Sequence, residues 1–362
     1  MPTGAERFHA IIRGDQRGLL ATLARIGLWW LRIPYACAMS IRNWKYDRAS
    51  AAISRPAVPV VSIGNLTLGG TGKTPCVEYV ASYYREHDVA VAILSRGYGV
   101  ESGPNDEALL LEENLPDVPH LQGRDRMTLA QTAIEELESE MILLDDGFQH
   151  RRLFRDLDIV LCDATQPIQN EYHFPRGLLR EPVSGLKRAS FVLFTRCDQA
   201  STESLAQQKT WLQERYPNLR TASTIHKPIV LIGMGQSLPV DAIAGKSVAA
   251  FCGIANPEAF RQTLLSLGAS IVAFRTFPDH HNFTREDIEV LNSWAAETTP
   301  DCIVLTTQKD WVKVRIAYLG DRPLYAMRIG LSFTENEAEF QQLLTSVIRP
   351  SFPESADAED EE

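Results

Sequence analysis

Residues 64 to 75 read Gly-Asn-Leu-Thr-Leu-Gly-Gly-Thr-Gly-Lys-Thr-Pro, between an apolar run at 58–63 and a stretch with helical patterning. That context suits a phosphate-binding loop. Glycines free the backbone N–H groups to curl around phosphate oxygens, a lysine reaches the β- and γ-phosphates, and a hydroxyl at a helix N-terminus holds Mg²⁺. The expected nucleotide contacts are Thr67, Leu68, Gly69, Gly70, Thr71, Gly72, Lys73 and Thr74, with Thr74 also on the metal. The usual spacing has a further glycine five residues before Gly72; this chain has Thr67 there, and the Gly69-Gly70 pair supplies the flexibility. The implied ligand is a nucleoside triphosphate.

Acidic and imidazole side chains form the next groups. Asp145-Asp146 close an apolar run at 141–144. A carboxylate there can hold Mg²⁺ or its waters opposite Lys73, the second half of a phosphoryl-transfer apparatus; the alternative is an ordinary turn. Asp279-His280-His281 follow another apolar run at 271–274. Carboxylate beside imidazole can accept a proton from a hydroxyl, or can simply precede a helix. Zinc would need a third ligand that the neighbouring sequence lacks. Asp106-Glu107, read alone, are a solvated turn. In 174–182, Arg176 and Arg180 lie in a Gly/Pro loop and either grip a phosphate bidentately or are surface charges.

These groups need elements to carry them. Strands are expected at 89–94, 141–144, 157–162 and 190–195, alternating with helices at 76–86 and 126–139. The alternation implies a P-loop-type, doubly wound, mainly parallel α/β sheet with functional loops at the carboxyl ends of its strands. Runs at 248–252, 271–274 and 302–305, with helices at 257–267 and 285–296, imply a second, smaller α/β lobe. The expected division is an N-terminal helical segment over 1–50, a nucleotide-binding domain over 51–227, the smaller lobe over 228–349 and an acidic tail over 350–362, with a linker within 198–245.

Composition narrows the class. At 44% hydrophobic and 23% charged, the 362 residues are ordinary for a globular enzyme. A net charge of −10 argues against a nucleic-acid binder, and part of it resides in the tail. Cys37, Cys76, Cys162, Cys197, Cys252 and Cys302 form no C-x-x-C pair, which fits reduced thiols. No obligate protein partner is evident. Residues 19–41 are apolar and carry Trp29, Trp30 and Tyr35, but Arg32 and Pro34 interrupt them before about 20 clean apolar residues accumulate. Tryptophan beside arginine suits a helix lying in a membrane interface; a helix packed on the enzyme body is the alternative, and a spanning helix is disfavoured.

The segments GNLTLGGTGKTP, LSRGYG, NDEA, RDRM, LLDDGFQH, FPRGLLREP, FPDHHNFT and TTQKDWVK occur in this order from about Trp44 to Ile329. In order and character the chain resembles the tetraacyldisaccharide 4'-kinase (lipid A 4'-kinase) family. The resemblance implies ATP- and Mg²⁺-dependent phosphorylation of the 4'-hydroxyl of a tetraacylated glucosamine disaccharide 1-phosphate. It also implies docking on the cytoplasmic face of the inner membrane, peripherally or by a single anchor, through the N-terminal helix. By the same resemblance Lys73 and Thr74 hold phosphates and metal, with Asp145, Asp146 and Glu181 completing the metal site. Asp106 is the implied general base, coupled to His280; Tyr98, Arg126, His150 and Arg180 are implied at the acceptor; Glu107 and Lys309 match family positions.

Asn105 and Ala108 replace the glycine and proline of the family's Gly-Asp-Glu-Pro motif, so His280 and Asp145 stand as alternative proton acceptors. Two other functions share some of these features. One is a kinase of a soluble small molecule. The other is a membrane-recruited nucleotide-switch ATPase, which would leave the Asp-His-His cluster and the arginine loop idle. Leu68 also stands where partitioning-type ATPases carry their signature lysine.

Overall fold

The computed structural model describes residues 8, 10–12, 14–48, 53–97 and 106–349. Tyr98, Asn105 and the acidic tail lie outside the described residues.

A single 13-stranded sheet runs through the molecule. At the heart of its N-terminal part, β1 (Val60–Asn65) lies between β4 (Met141–Asp145) and β5 (Leu157–Asp163). β2 (Val91–Ser95) and β3 (His120–Gln122) extend the sheet beyond β4, and β6 (Phe191–Thr195) and β7 (Arg220–Gly233) extend it beyond β5. All these neighbours pair parallel. β1, β4, β5 and β6 are buried at every residue, as strands covered on both faces must be, and their mainly apolar sequences follow from that, with Ser62 and Asp158 as buried polar exceptions inside them.

Helices close both faces. On one, α2 (Lys73–Glu86) packs Val77, Val80 and Tyr84 with Ile63, Leu143 and Phe191, joined by Phe340 and Leu344 from the C-terminal helix at Glu337–Thr345. On the other, Leu212 from the helix at Thr202–Arg215 joins Phe148, Val160 and Phe194, and Ala130 and Ala133 from the helix at Arg126–Glu135 join Leu94 and Leu144.

The smaller lobe continues the same sheet. β7 pairs antiparallel with β13 (Arg322–Glu335), and β11 (Ile303–Thr307), β9 (Ser247–Cys252) and β10 (Ser270–Thr276) follow in parallel. Residue 228 therefore falls inside a strand. The range 198–245 holds a 14-residue helix, the 14-residue β7 and a short partner strand, β8 (Gln236–Pro239). Pro228 is accommodated by a register shift in the β7–β13 ladder, opposite Arg328 and Ile329, because proline has no N–H to donate. β7 and β13 thus tie the lobes through main-chain hydrogen bonds.

Two further elements bear on the site. Asp106 and Glu107 open a helix, α3 (Asp106–Asn114), in place of the solvated turn read from sequence, and their charges suit its positive end. The N-terminal helix, α1 (Leu19–Arg48), is continuous through Pro34. Among the described residues no helix is long and apolar enough to cross a membrane. Leu19, Leu20, Leu23, Ile26, Trp30 and Leu31 of α1 are exposed. Its other side is fastened to the body: Tyr35 donates to the Arg180 carbonyl at 2.8 Å, Arg42 to the Gln149 carbonyl at 2.7 Å, and Asn43 to Glu181 at 2.9 Å.

Candidate active site

The phosphate loop leaves the carboxyl end of β1. It is laced to the arginine loop by hydrogen bonds from Leu68 N to the Leu178 carbonyl and from Arg180 N to the Leu66 carbonyl, both 2.8 Å. Asn65 Nδ2 donates to Thr71 Oγ1, and Thr195 Oγ1 to the Thr71 carbonyl, each at 2.9 Å. Gly72 has φ 84°, a left-handed conformation, and a Cβ there would lie 2.5 Å from His226 Nε2. Only glycine fits both constraints. No side chain caps the helix that begins at Lys73, so its first N–H groups remain available to an anion.

The adjacent acids Asp145 and Asp146 have opposite electrostatics. Parallel pairing sets Asp145 beside Ile63 of β1. Its Oδ1 is buried without a hydrogen-bond partner, and burial, aided by the Glu107 charge, pushes its carboxyl up to about 7. Burial also works against ionisation of Asp146. There Lys73, 3.7 Å away, and Arg180, 2.7 Å away, outweigh it and hold the carboxyl below the usual range. Arg126 donates to the Asp145 carbonyl oxygen at 3.0 Å.

A second cluster is assembled from distant sequence. His280 Nδ1 lies 3.1 Å from Asp106 Oδ2 across 174 residues. Lys309 Nζ is 3.2 Å from His280 Nε2. An ammonium only donates, so Nε2 accepts and Nδ1 carries the proton directed at Asp106. Burial of Asp106 is outweighed by His280 and Lys313, which lower its carboxyl below the usual range. The Glu107 charge felt by Asp145 links this cluster to the phosphate loop.

Other expected residues have other surroundings. His281 bonds Asp287 at 3.0 Å and stacks on Phe277, so it braces the loop rather than joining His280. His150 is kept neutral by burial, then by Arg126 and other arginines, with its ring held down to about 4 and Nε2 unpartnered. The Glu181 carboxylate is engaged by Arg188, Asn43 and Gln149 at 2.9 Å each. Among the described residues no group of three or more His, Cys, Asp or Glu could hold a metal. Mg²⁺ in phosphoryl-transfer sites takes one or two carboxylates and completes its shell with phosphate and water. The unpartnered Asp145 oxygen, beside ionised Asp146, fits that role.

Residues 24–349 match the family described as Tetraacyldisaccharide-1-P 4'-kinase, LpxK. The chain belongs to this family. A tetraacyldisaccharide 4'-kinase of Anaeromyxobacter dehalogenans (strain 2CP-C) is 38% identical over 339 residues, 87% of this chain and 88% of the relative. One from Desulfatibacillum aliphaticivorans is 32% identical over 95% of this chain and 98% of its own. The solved structure of LpxK from Aquifex aeolicus in complex with ATP is similar at TM-score 0.71 and 29% identity, over 90% of this chain and 99% of that one.

Sequence reasoning about this LpxK-family chain missed three site residues. Gln149 donates to the Asn65 carbonyl at 2.8 Å and to Glu181 at 2.9 Å, joining β1 to the arginine loop. Arg188 secures Glu181, and Lys313 faces Asp106. Gln149 and Lys313 lie within the LLDDGFQH and TTQKDWVK segments, which was the available signal; Arg188 had none.

Proposed function

We infer that this chain transfers the γ-phosphate of ATP to the 4'-hydroxyl of tetraacyldisaccharide 1-phosphate, giving the 1,4'-bisphosphate. Beside the family membership, the observation that carries this reading is the meeting of Asp106 with His280 at 3.1 Å, next to Glu107, whose charge reaches Asp145 beside the phosphate loop. A nucleotide switch needs no such pair; a hydroxyl acceptor does. The acceptor oxygen forms a bond to the γ-phosphorus, the bond to the β,γ-bridging oxygen breaks, and the hydroxyl proton passes to Asp106 with His280 beside it.

Lys73 and the loop N–H groups bind the phosphates, and Thr74, Asp145 and Asp146 are the residues that would hold Mg²⁺. When bound, the ion neutralises charge on the phosphoryl oxygens. Arg126, His150 and Arg180 line the approach of the acceptor. A sugar hydroxyl is a poor nucleophile, so positioning and charge neutralisation carry most of the rate enhancement. α1 supplies the membrane contact: its exposed apolar residues dip into the interface of the cytoplasmic leaflet, while Tyr35, Arg42 and Asn43 fasten it to the arginine loop and to Gln149.

The test incubates the protein with γ-labelled ATP, Mg²⁺ and tetraacyldisaccharide 1-phosphate in mixed micelles, with Lys73→Ala as control. Label at the 4' position with wild type, and a loss of at least a thousandfold with Lys73→Ala, is expected. Phosphate released to water without lipid labelling would overturn the assignment.

A further inference from the structure

Lys313, the cation that faces Asp106, is buried where the smaller lobe meets α3. It lies on α8 (Gln308–Val314), with its side chain 7% exposed. Its Nζ is 3.4 Å from Asp106 Oδ2 and 3.3 Å from Asp310 Oδ1, and 5.7 Å from the centre of the Phe283 ring. An ammonium removed from water requires opposite charge close by. Asp310 cannot move to provide more: it is fully buried, and its Oδ2 accepts from Gly253 N at 2.9 Å and from Thr307 Oγ1 at 2.7 Å. Asp310 therefore ties the ammonium of Lys313 to the end of β9, and the same Nζ bridges from there to Asp106.

We propose that Lys313 is a positioning residue for phosphoryl transfer, holding Asp106 Oδ2 in register with His280 only while the helix of the smaller lobe packs on α3. The inference rests on Asp106 being the proton acceptor. Asp106, next to Glu107 in the chain, is faced by His280 from the loop after β10 with Asp279 and Lys309 behind it, and by Lys313 backed by Asp310. Lys313 is the buried cation of this set, whereas the His280 side chain is 58% exposed. The same helix pair is tied again further on, where Gln308 donates to Asn114 at 2.6 Å, and Asn114 in turn donates to Glu78 of α2 at 2.9 Å. Proton acceptance by Asp106 is thereby linked to the seating of the smaller lobe.

Lys313→Met keeps the length of the side chain and removes its charge. Asp106 must be ionised to accept a proton, so losing a neighbouring cation moves the acid limb of the kcat profile upward. An upward move of about one pH unit is expected, with kcat on the plateau reduced about tenfold or more and KM for ATP unchanged. Lys313→Arg, which keeps the charge, should leave the limb within a few tenths of a unit of wild type. A Lys313→Met limb coincident with wild type would overturn the proposal, since loss of packing alone does not move it. Should Lys313→Met fail to fold, Lys313→Gln gives the same comparison. Asp106→Asn is run alongside: near-normal activity in that variant would instead refute Asp106 as proton acceptor.

Discussion

Replacing Asp145 by asparagine is expected to make the nucleotide-free protein less sensitive to rising pH. The wild-type carboxyl is buried, lacks a partner at Oδ1 and titrates near 7, against an ordinary value of 3.8. Below pH 3.8 the folded and unfolded chains both hold the proton. Between 3.8 and 7 the folded chain keeps it and the unfolded chain has lost it. Stability is then fully present at low pH and falls by about 1.4 kcal/mol per pH unit until the folded carboxyl ionises. Between pH 5 and pH 8 the wild type should lose about 3 kcal/mol through this one group. Asparagine fills the same space and does not titrate. With an unfolding entropy of about 0.7 kcal/mol per degree for a chain of this size, the Tm difference between variant and wild type should widen by about 4 °C across that range. Scanning calorimetry at pH 5 and pH 8, without nucleotide or divalent ions, measures it. A Tm gap that stays constant within a degree would mean that Asp145 ionises normally and that its environment has been misread.

Two other outcomes follow from the geometry. Gly72→Ala should weaken ATP binding tenfold or more, because the left-handed backbone costs a β-carbon about 1–2 kcal/mol and His226 occupies the space; isothermal titration should find part of the loss restored by a second change, His226→Ala, and no restoration would exclude the clash. A triple change of Leu20, Leu23 and Trp30 to glutamate should abolish sedimentation with anionic vesicles while leaving activity in detergent within about twofold; unchanged sedimentation would remove α1 as the membrane contact.

Local chemistry was legible in the sequence. The glycine, lysine and threonine spacing marks the phosphate loop because those residues act through main chain and immediate neighbours. β1, β4, β5 and β6 could be read because strands buried on both faces are mostly apolar, with Ser62 and Asp158 the interior exceptions in β1 and β5. β7 and β13 were not read, since each is half exposed and mixes polar with apolar residues, and Pro228 imitates a boundary. The opening of α3 was likewise hidden, because two acids before an apolar stretch suit a turn and a helix start equally.

Asp145 and Asp146 are one residue type side by side, and composition alone gives them one proton affinity. The strand alternation and the positions of Lys73 and Arg180 drive them apart. Asp106, His280 and Lys313 come from three separate elements, and the antiparallel pairing of β7 with β13, which joins the lobes in one sheet, together with the packing of α3 on the helix at Gln308–Val314, brings them within hydrogen-bonding or ion-pairing range. The sequence by itself determined which chemical groups exist and which local elements carry them, because propensity, periodicity and glycine geometry act over a few residues. Tertiary structure decided which carboxylate is ionised and which carboxylate meets which imidazole and ammonium, because charge and burial act through space.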